Sequence, residues 1–292
     1  MQKRCILKAP AKLNLHLQIG GKRADGFHDI NSLFIMVDLF DEFDASSLKT
    51  GNDCRIIGDF NCKTEQNLIY KAWQLFCLEA GSKYGIEFRV RKNIPSFAGL
   101  GGGSSDAAAA LKIMNNIFDV GFSDDQLIEI GCRLGSDVPF FLTSPAALIS
   151  GRGEDVKEID TEELHFVVVQ PDVEISTAEA YGWIDSSEIS RKPFLTQGEI
   201  IDIFRGPAGG YTAYSNDFED ELNARFDEFL KAESLLYNEG ALYSTVTGSG
   251  SAVLGLFESP EKAEKAKNSL QNSYKFVQKI KSLDRIPYAI LE

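Results

Sequence analysis

Hydrophobic and polar residues alternate in some stretches of the chain and recur at helical spacing in others. The alternation in residues 5–19 predicts a strand, interrupted at residues 9–12, whose apolar face is formed by Leu13, Leu15, Leu17 and Ile19. Apolar runs predict strands at residues 33–37 and 166–169, alternation predicts one at 86–90, and a basic strand is predicted at 275–281. Apolar residues three and four positions apart predict helices at residues 67–78, 104–118, 123–134, 216–237 and from 259 onward. Residues 185–215 show neither period and are predicted to be irregular.

A glycine-rich stretch stands between one predicted strand and one predicted helix. It has four glycines in five positions and runs directly into an alanine-rich segment, with Asp106 and two serines where the helix is expected to begin. A backbone with few Cβ atoms that leads into a helix N-terminus presents N–H groups and the positive end of the helix dipole, which suits a phosphate. The predicted phosphate-binding loop consists of Pro95, Ser96, Phe97, Ala98, Gly99, Leu100, Gly101, Gly102, Gly103, Ser104 and Ser105.

Two common phosphate-binding motifs do not fit this loop. A Walker A motif ends in Gly-Lys-Ser or Gly-Lys-Thr, and neither tripeptide occurs in the sequence. A dinucleotide fingerprint that starts at Gly99 and Gly101 requires a third glycine where Ser104 stands. The loop is therefore predicted to bind phosphate in some other way.

Composition narrows the class of protein. The 292 residues are 43% hydrophobic, enough for one large or two medium domains, and the net charge of −13 disfavours partners that are nucleic acids or anionic membranes. No apolar run approaches the ~18 residues of a membrane-spanning helix, and we expect no signal peptide. The five cysteines never form Cys-x-x-Cys and the three histidines are scattered, so we expect reduced thiols, no zinc site and a cytoplasmic location.

Three polar groups attract interest, although each has an ordinary structural explanation when taken singly. Lys12 and Asn14 share the polar face of the first strand, which is often only solvated. Phe27 and His28 end a turn-rich loop, where such a pair usually packs the loop down. Asp137 follows the glycine that stops a predicted helix, and a Ser-Asp pair there usually marks a surface turn.

Several blocks, in order along the chain, resemble one family. Pro-Ala-Lys-Leu-Asn at residues 10–14, the loop at 95–105 and Thr-Gly-Ser-Gly-Ser at 247–251 resemble the three motifs of the galactokinase, homoserine kinase, mevalonate kinase and phosphomevalonate kinase superfamily. Arg-Ala-Asp-Gly-Phe-His at residues 23–28 and Leu-Gly-Ser-Asp-Val-Pro-Phe-Phe at 134–141 are most similar to the branch that acts on a diphosphocytidyl alcohol. The resemblance spans most of the chain.

The resemblance implies an α+β, two-lobed small-molecule kinase fold. An N-terminal ribosomal-S5-like lobe that binds ATP would span residues 1–155, and a ferredoxin-like lobe on the substrate side would span 156–292. The active site would lie in the cleft between the lobes.

The implied reaction is ATP-dependent phosphorylation of the 2-hydroxyl of 4-diphosphocytidyl-2-C-methyl-D-erythritol, with Mg²⁺, in the non-mevalonate isoprenoid pathway. The only expected partner is the small cytidyl diphosphate substrate, and the protein would be a monomer or a homodimer. Two alternatives stay open: a kinase of the same superfamily acting on homoserine or mevalonate, and a catalytically silent nucleotide-binding regulator.

The resemblance also assigns roles to residues. Lys12 and Asp137 would be catalytic, because a carboxylate can take the proton of the attacking hydroxyl or position it, and an ammonium offsets charge on the phosphoryl group. Besides the loop, Lys92 and Asn67 would contact the nucleotide, while the metal ligands stay unassigned. The substrate would be bound by Asn14, Phe27, His28, Asp137, Thr177 and Tyr181. Among these, Phe27 and Tyr181 would sandwich the cytosine base, and His28 would form a hydrogen bond with it. The sequence departs from the family pattern at Phe27 (commonly tyrosine), Asp106 (frequently asparagine) and Ser251 (often alanine or proline).

Overall fold

The computed structural model describes residues 2–187, 193–206 and 208–291. The strands are β1 (Arg4–Lys22), β2 (His28–Ser47), β3 (Cys54–Ile57), β4 (Ile86–Arg91), β5 (Ala146–Ser150), β6 (Asp155–Glu158), β7 (His165–Gln170), β8 (Tyr243–Val246), β9 (Val253–Phe257), β10 (Phe276–Lys281) and β11 (Ile290–Leu291). The α-helices are α1 (Leu68–Glu79), α2 (Gly102–Phe118), α3 (Asp124–Leu134), α4 (Val138–Thr143), α5 (Thr177–Ser186), α6 (Gln197–Arg205), α7 (Glu219–Asn223), α8 (Asp227–Asn238) and α9 (Pro260–Leu270). Short 3₁₀ helices lie at Thr64–Gln66 and Ala208–Ala213.

The strands form two sheets, which confirms the α+β prediction. The first has the order β11-β1-β2-β4-β3, with β5 pairing to β2 and β6 to β5. The second has the order β10-β7-β9-β8, and all its neighbours are antiparallel. With the helices between them, the strands of the second sheet follow the ferredoxin-like pattern, in which the fourth strand lies beside the first. The last strand returns to the first sheet, where Leu291 pairs with Cys5.

Both faces of the β1–β2 pair are buried. Leu13 and Leu15 belong to a core shared with Phe166 of the second sheet, whereas Phe34 belongs to a core shared with the alanines and Ile113 of α2. The polar positions Lys12 and Asn14 are also buried, with 3% and 1% of their surface exposed, so the solvated-face explanation is wrong. A strand covered on both faces has no solvent-exposed face for such residues, which therefore need internal partners.

The predicted apolar face of β1 is wrong in its second half. The pairing to β2 shifts between Asn14 and His16, so Leu17 and Ile19 face the helical core while Leu13 and Leu15 face the second sheet. A one-residue bulge reverses the alternation beyond it. The predicted interruption at residues 9–12 is also wrong, because β1 continues through a register shift between Pro10 and Ala11.

Several helix ends and breaks differ from the predictions. Gly101 with φ +70° precedes the first residue of α2, so Ser104 and Asp106 lie inside its first turns and do not cap it. The segment after Asp137, for which no element was predicted, is the short helix α4 with Pro139 in its first turn. The predicted helix at residues 216–237 is broken into α7 and α8.

The region predicted to be irregular, residues 185–215, is partly helical. It contains α6, which a capping box between Thr196 and Glu199 begins, and the second 3₁₀ helix. Residues 188–192 and 207 of that region lie outside the described residues. In the part of the chain that the structure covers, no helix has both the length and the apolar character needed to cross a bilayer.

Candidate active site

A cavity of about 350 Å³ brings together the blocks that the sequence analysis singled out. Its wall includes Lys12 and Asn14 of β1, the glycine loop from Pro95 to Ser104, and Asp137 at the start of α4. Thr177 and Tyr181 of α5 and the loop at residues 248–250 complete it on the side of the second lobe. Phe27, His28, Asn67 and Ser105 are not among the residues that line this cavity.

The glycine loop is docked against the loop that follows β8. A Cβ atom on Gly99, whose φ is +71°, would lie 2.0 Å from the carbonyl oxygen of Thr247. The N–H groups of Ser251 and Ala252 donate to the carbonyl oxygens of Phe97 and Ala98 at 2.8 and 3.2 Å. The Ser251 hydroxyl also donates to the Phe97 carbonyl at 3.1 Å, so the serine at this position adds a link. Glycine at position 99 is therefore required by both space and conformation.

Lys12 is packed directly against this loop. Its N–H donates to the carbonyl of Leu100 at 3.0 Å, and a Cβ atom on Gly101 would lie 2.9 Å from its Cγ. The ammonium donates to Asn14 Oδ1, lies 3.7 Å from Asp137 Oδ2 and sits 4.6 Å from the centre of the Phe34 ring. Burial lowers the pKa of Lys12, and the neighbouring Asp137 carboxylate opposes that shift.

Asn14 is held by hydrogen bonds at its backbone N–H and at both ends of its side-chain amide. Its backbone N–H donates to Thr247 Oγ1 at 2.9 Å, its Nδ2 donates to Ser32 Oγ at 3.1 Å, and its Oδ1 accepts from Lys12. Because the amide nitrogen is committed to Ser32, the oxygen points to the ammonium. Asn14 thus connects Lys12 to the loop of the second lobe.

Lys92 lies between two buried carboxylates. Its ammonium donates to Asp41 Oδ2 and to Asp106 Oδ2, the latter at 2.6 Å. Asp41 Oδ1 also accepts the N–H groups of Asn93 and Ile94, at 2.7 and 2.9 Å. Burial raises the pKa of Asp106 to about 8, against the effect of Lys92, whereas the two carboxylates outweigh the burial of Lys92 and raise its pKa. Asp41 was not predicted as a functional residue, because it stands in an acidic run that gives no signal of burial.

Three aromatic residues are predicted to bind the base, and two of them stack on each other. Tyr181 stacks on His28, with ring centres 5.3 Å apart and planes 24° apart. The Phe27 ring is 48% exposed and faces the Arg152 guanidinium, which lies 5.1 Å from the centre of the ring. Arg152 was not anticipated from the sequence. The roles of these aromatic residues in binding a base stay predictions.

The His28 ring is enclosed by polar groups. Its Nδ1 lies 3.1 Å from the carbonyl oxygen of Gly20, and its Nε2 lies 2.8 Å from Asp185 Oδ1. Lys22 in turn pairs with the other oxygen of Asp185. These contacts fix the plane of the ring against Tyr181, and Asp185 is a second residue that the sequence analysis missed.

Two of the residues predicted to contact the nucleotide belong to helix ends or interiors in the structure. Asn67 caps α1, because its Oδ1 accepts the N–H of Ile69 at 2.9 Å. Ser105 is buried in α2.

Among the described residues, no group of three His, Cys, Asp or Glu side chains is arranged to hold a metal ion.

Two descriptions of known protein families match this chain, one in each lobe. The description "GHMP kinases N terminal domain" matches residues 67–144, and "GHMP kinases C terminal" matches residues 211–275. A crystal structure of homoserine kinase from Cytophaga hutchinsonii has the same fold, with a TM-score of 0.74 and 18% identity over 99% of this chain and 97% of that one. The fold and these matches define the class of the protein as an ATP-dependent small-molecule kinase.

Proteins with a higher sequence identity to this chain share one name. The 4-diphosphocytidyl-2-C-methyl-D-erythritol kinase of Syntrophomonas wolfei is 34% identical over 95% of this chain and 98% of its own. The kinase of that name from Caldanaerobacter subterraneus subsp. tengcongensis is 34% identical over 96% and 97%. A crystal structure of 4-(cytidine 5'-diphospho)-2C-methyl-D-erythritol kinase has a TM-score of 0.81 and 29% identity, covering 95% of this chain and 99% of that one. The chain belongs to the 4-diphosphocytidyl-2-C-methyl-D-erythritol kinase family within the GHMP kinases.

Proposed function

We propose that the protein transfers the terminal phosphoryl group of ATP to the 2-hydroxyl of 4-diphosphocytidyl-2-C-methyl-D-erythritol. The observation that carries this proposal is the 3.7 Å approach of Lys12 Nζ to Asp137 Oδ2 in the cavity that the glycine loop lines. An ammonium and a carboxylate beside a phosphate-binding loop provide what phosphoryl transfer to an alcohol requires, since the catalysis rests on positioning and charge.

Asp137 and Lys12 divide the chemistry in this proposal. The side chain of Asp137 is 30% exposed, so a substrate hydroxyl can reach its carboxylate, which accepts the proton as the oxygen attacks the phosphorus atom. Lys12 is fixed by Asn14 and by the glycine loop, so its ammonium is already in place to offset negative charge on the transferred group. Fixed charges in a site of low polarity stabilise such charge better than water does.

The glycine loop and the start of α2 would hold the phosphates. Gly102, Gly103 and Ser104 form the first turn of α2 and line the cavity, so their N–H groups supply donors at the positive end of the helix. We assign Lys92 and Asn67 to the surroundings of the nucleotide, the ATP-binding lobe to residues 1–155 and the substrate-side lobe to residues 156–292. The cytidyl substrate would contact Asn14, Thr177, Tyr181, Phe27 and His28.

We propose that Mg²⁺ binds together with the nucleotide. The described side chains offer no cluster of three metal ligands, whereas Mg²⁺ in kinases is bound in part by the phosphates themselves. We therefore assign no protein ligand and no catalytic step to the ion. We also propose that the enzyme is cytoplasmic and acts as a monomer or a homodimer.

Turnover on a panel of alcohols tests the proposed substrate. In an ADP-release assay we expect turnover with the cytidyl substrate at an ordinary kinase rate of about 1–100 s⁻¹, and none above background with homoserine or mevalonate. Equal turnover of homoserine would contradict the proposed substrate. Nucleotide binding without any turnover would instead support the silent regulator.

Replacing His28 by alanine tests the base-binding side. The His28 ring supports one face of Tyr181, so we expect His28→Ala to raise the KM for the cytidyl substrate about tenfold, the scale of one aromatic contact, with little change in the KM for ATP. The matched control is His165→Ala, since His165 lies on β7 and does not line the cavity. Equal changes in both KM values would remove His28 from base binding.

A further inference from the structure

Asp41, Lys92 and Asp106 form a cluster at the base of the glycine loop, and the proposed mechanism gives its two carboxylates no role. Lys92 lines the cavity, while Asp41 and Asp106 are buried behind it on β2 and α2. A Cβ atom on Gly102, in the first turn of α2, would lie 3.6 Å from Asp41 Oδ2. The cluster therefore adjoins the backbone groups that would hold the nucleotide's phosphates.

The charges of the cluster do not balance. Two carboxylates share one ammonium, so the fully ionised cluster carries a net charge of −1 at a site that has to accept a polyphosphate. Removing a carboxylate from water without enough partners is costly, and binding a proton relieves that cost. The cluster is consequently expected to hold a proton more readily than an exposed carboxylate.

Asp106 is the member that has room for this proton. Both oxygens of Asp41 accept hydrogen bonds, from Lys92 and from the N–H groups of Asn93 and Ile94. Asp106 Oδ2 accepts from Lys92, whereas its buried Oδ1 has no hydrogen-bond partner among the described residues. A proton on Oδ1 would leave the contact between Lys92 and Oδ2 intact.

We propose that Asp106 takes up a proton when a nucleotide binds at the glycine loop. This inference rests on the proposed function, which places the phosphates at that loop. The negative phosphates disfavour a second negative charge nearby, so the proton moves from solvent to Asp106 Oδ1 and no other bond changes. Linkage is reciprocal, so a protonated Asp106 also strengthens nucleotide binding.

Other titrating groups must be separated from this effect. Lys92 and Asp41 face Asp106 directly. Burial lowers the pKa of Lys12 on β1, and it lowers that of Lys112, six residues further along α2, to about 8. Both lysines lose positive charge as the pH rises, which also weakens anion binding. A variant that keeps both lysines and lacks only the Asp106 carboxylate isolates the contribution of Asp106 to the pH dependence of nucleotide binding.

Calorimetric titration with the magnesium complex of AMP-PNP, a non-hydrolysable ATP analogue, provides the test. Because Asp106 becomes ionised as the pH rises, the wild-type protein should lose affinity between pH 7 and pH 9 by about five- to tenfold more than Asp106→Asn. The matched control is Asp119→Asn, an exposed residue in a left-handed conformation at the other end of α2, and it should follow the wild type. In buffers of different ionisation enthalpy at pH 8, the wild type should take up about half a proton more than Asp106→Asn.

The outcomes separate this inference from the proposed function. Nucleotide binding with the same pH dependence in wild type and Asp106→Asn would overturn the inference alone, as would binding without proton uptake by the wild type. No binding of the analogue at any pH would overturn both. If Asp106→Asn does not fold, Asp106→Ser removes the carboxylate with a smaller side chain, and the same comparison applies.

Discussion

Asparagine in place of Asp137 is expected to lower kcat by about 10²–10⁴-fold while nucleotide binding survives. The amide keeps the shape of the side chain but cannot accept the hydroxyl proton. It also removes the carboxylate that lies 3.7 Å from Lys12 Nζ and opposes the lowering of the lysine's pKa by burial. The pKa of Lys12 should therefore fall further in Asp137→Asn, and the residual activity should decline at a lower pH than that of the wild type.

Two measurements check this prediction. Single-turnover kinetics gives the chemical rate, and titration with AMP-PNP gives the affinity for the nucleotide. Asp125→Asn serves as the control, because Asp125 is exposed in the first turn of α3 and away from the cavity. A kcat close to the wild-type value would show that Asp137 only positions the hydroxyl, or does not act on it at all.

Alanine in place of Gly99 is expected to disrupt the phosphate-binding loop. The new Cβ would lie 2.0 Å from the Thr247 carbonyl oxygen, and a backbone atom cannot rotate away as a flexible side chain can. The φ of +71° adds a conformational cost of about 1–3 kcal/mol for a residue with a side chain. The two loops must separate, so we expect a lower melting temperature and a KM for ATP raised by at least about tenfold.

Gly198→Ala is the matched control for this experiment. Gly198 lies in α6 without a positive φ, and the nearest contact of its Cβ would be at 3.8 Å, so alanine there should be neutral or stabilise the helix. Thermal unfolding of the two variants separates local strain from a general effect of replacing glycine. Unchanged stability and unchanged KM in Gly99→Ala would show that the two loops need not touch.

The parts of the site that depend on local sequence were predictable. A loop made of glycines between a strand and a helix can be identified from residues 95–106, since its special conformation requires that composition. Lys12 and Asp137 were assigned together from their motifs, and the structure puts them in one cavity. Their catalytic roles stay predictions, because proximity does not reveal which proton moves.

The parts that depend on tertiary packing were not predictable. The bulge between Asn14 and His16 reversed the alternation of β1, and no residue type in that stretch signals it. The contact of Lys92 with Asp41 and Asp106 joins segments 51 and 14 residues apart, so the sequence shows only separate charged residues. The sequence alone does not distinguish a buried carboxylate from an exposed one.

The origin of the cavity walls bears on how such an enzyme can be retargeted. The glycine loop, Lys12 and Asp137 come from β1 and the segments around α2 and α4, whereas Thr177 and Tyr181 come from α5, beyond β7. Lys12 packs against Gly101 of that loop, whereas α5 is a separate short helix that begins with its own capping box. A designer seeking a different alcohol acceptor would diversify α5 and leave β1 and the glycine loop unchanged.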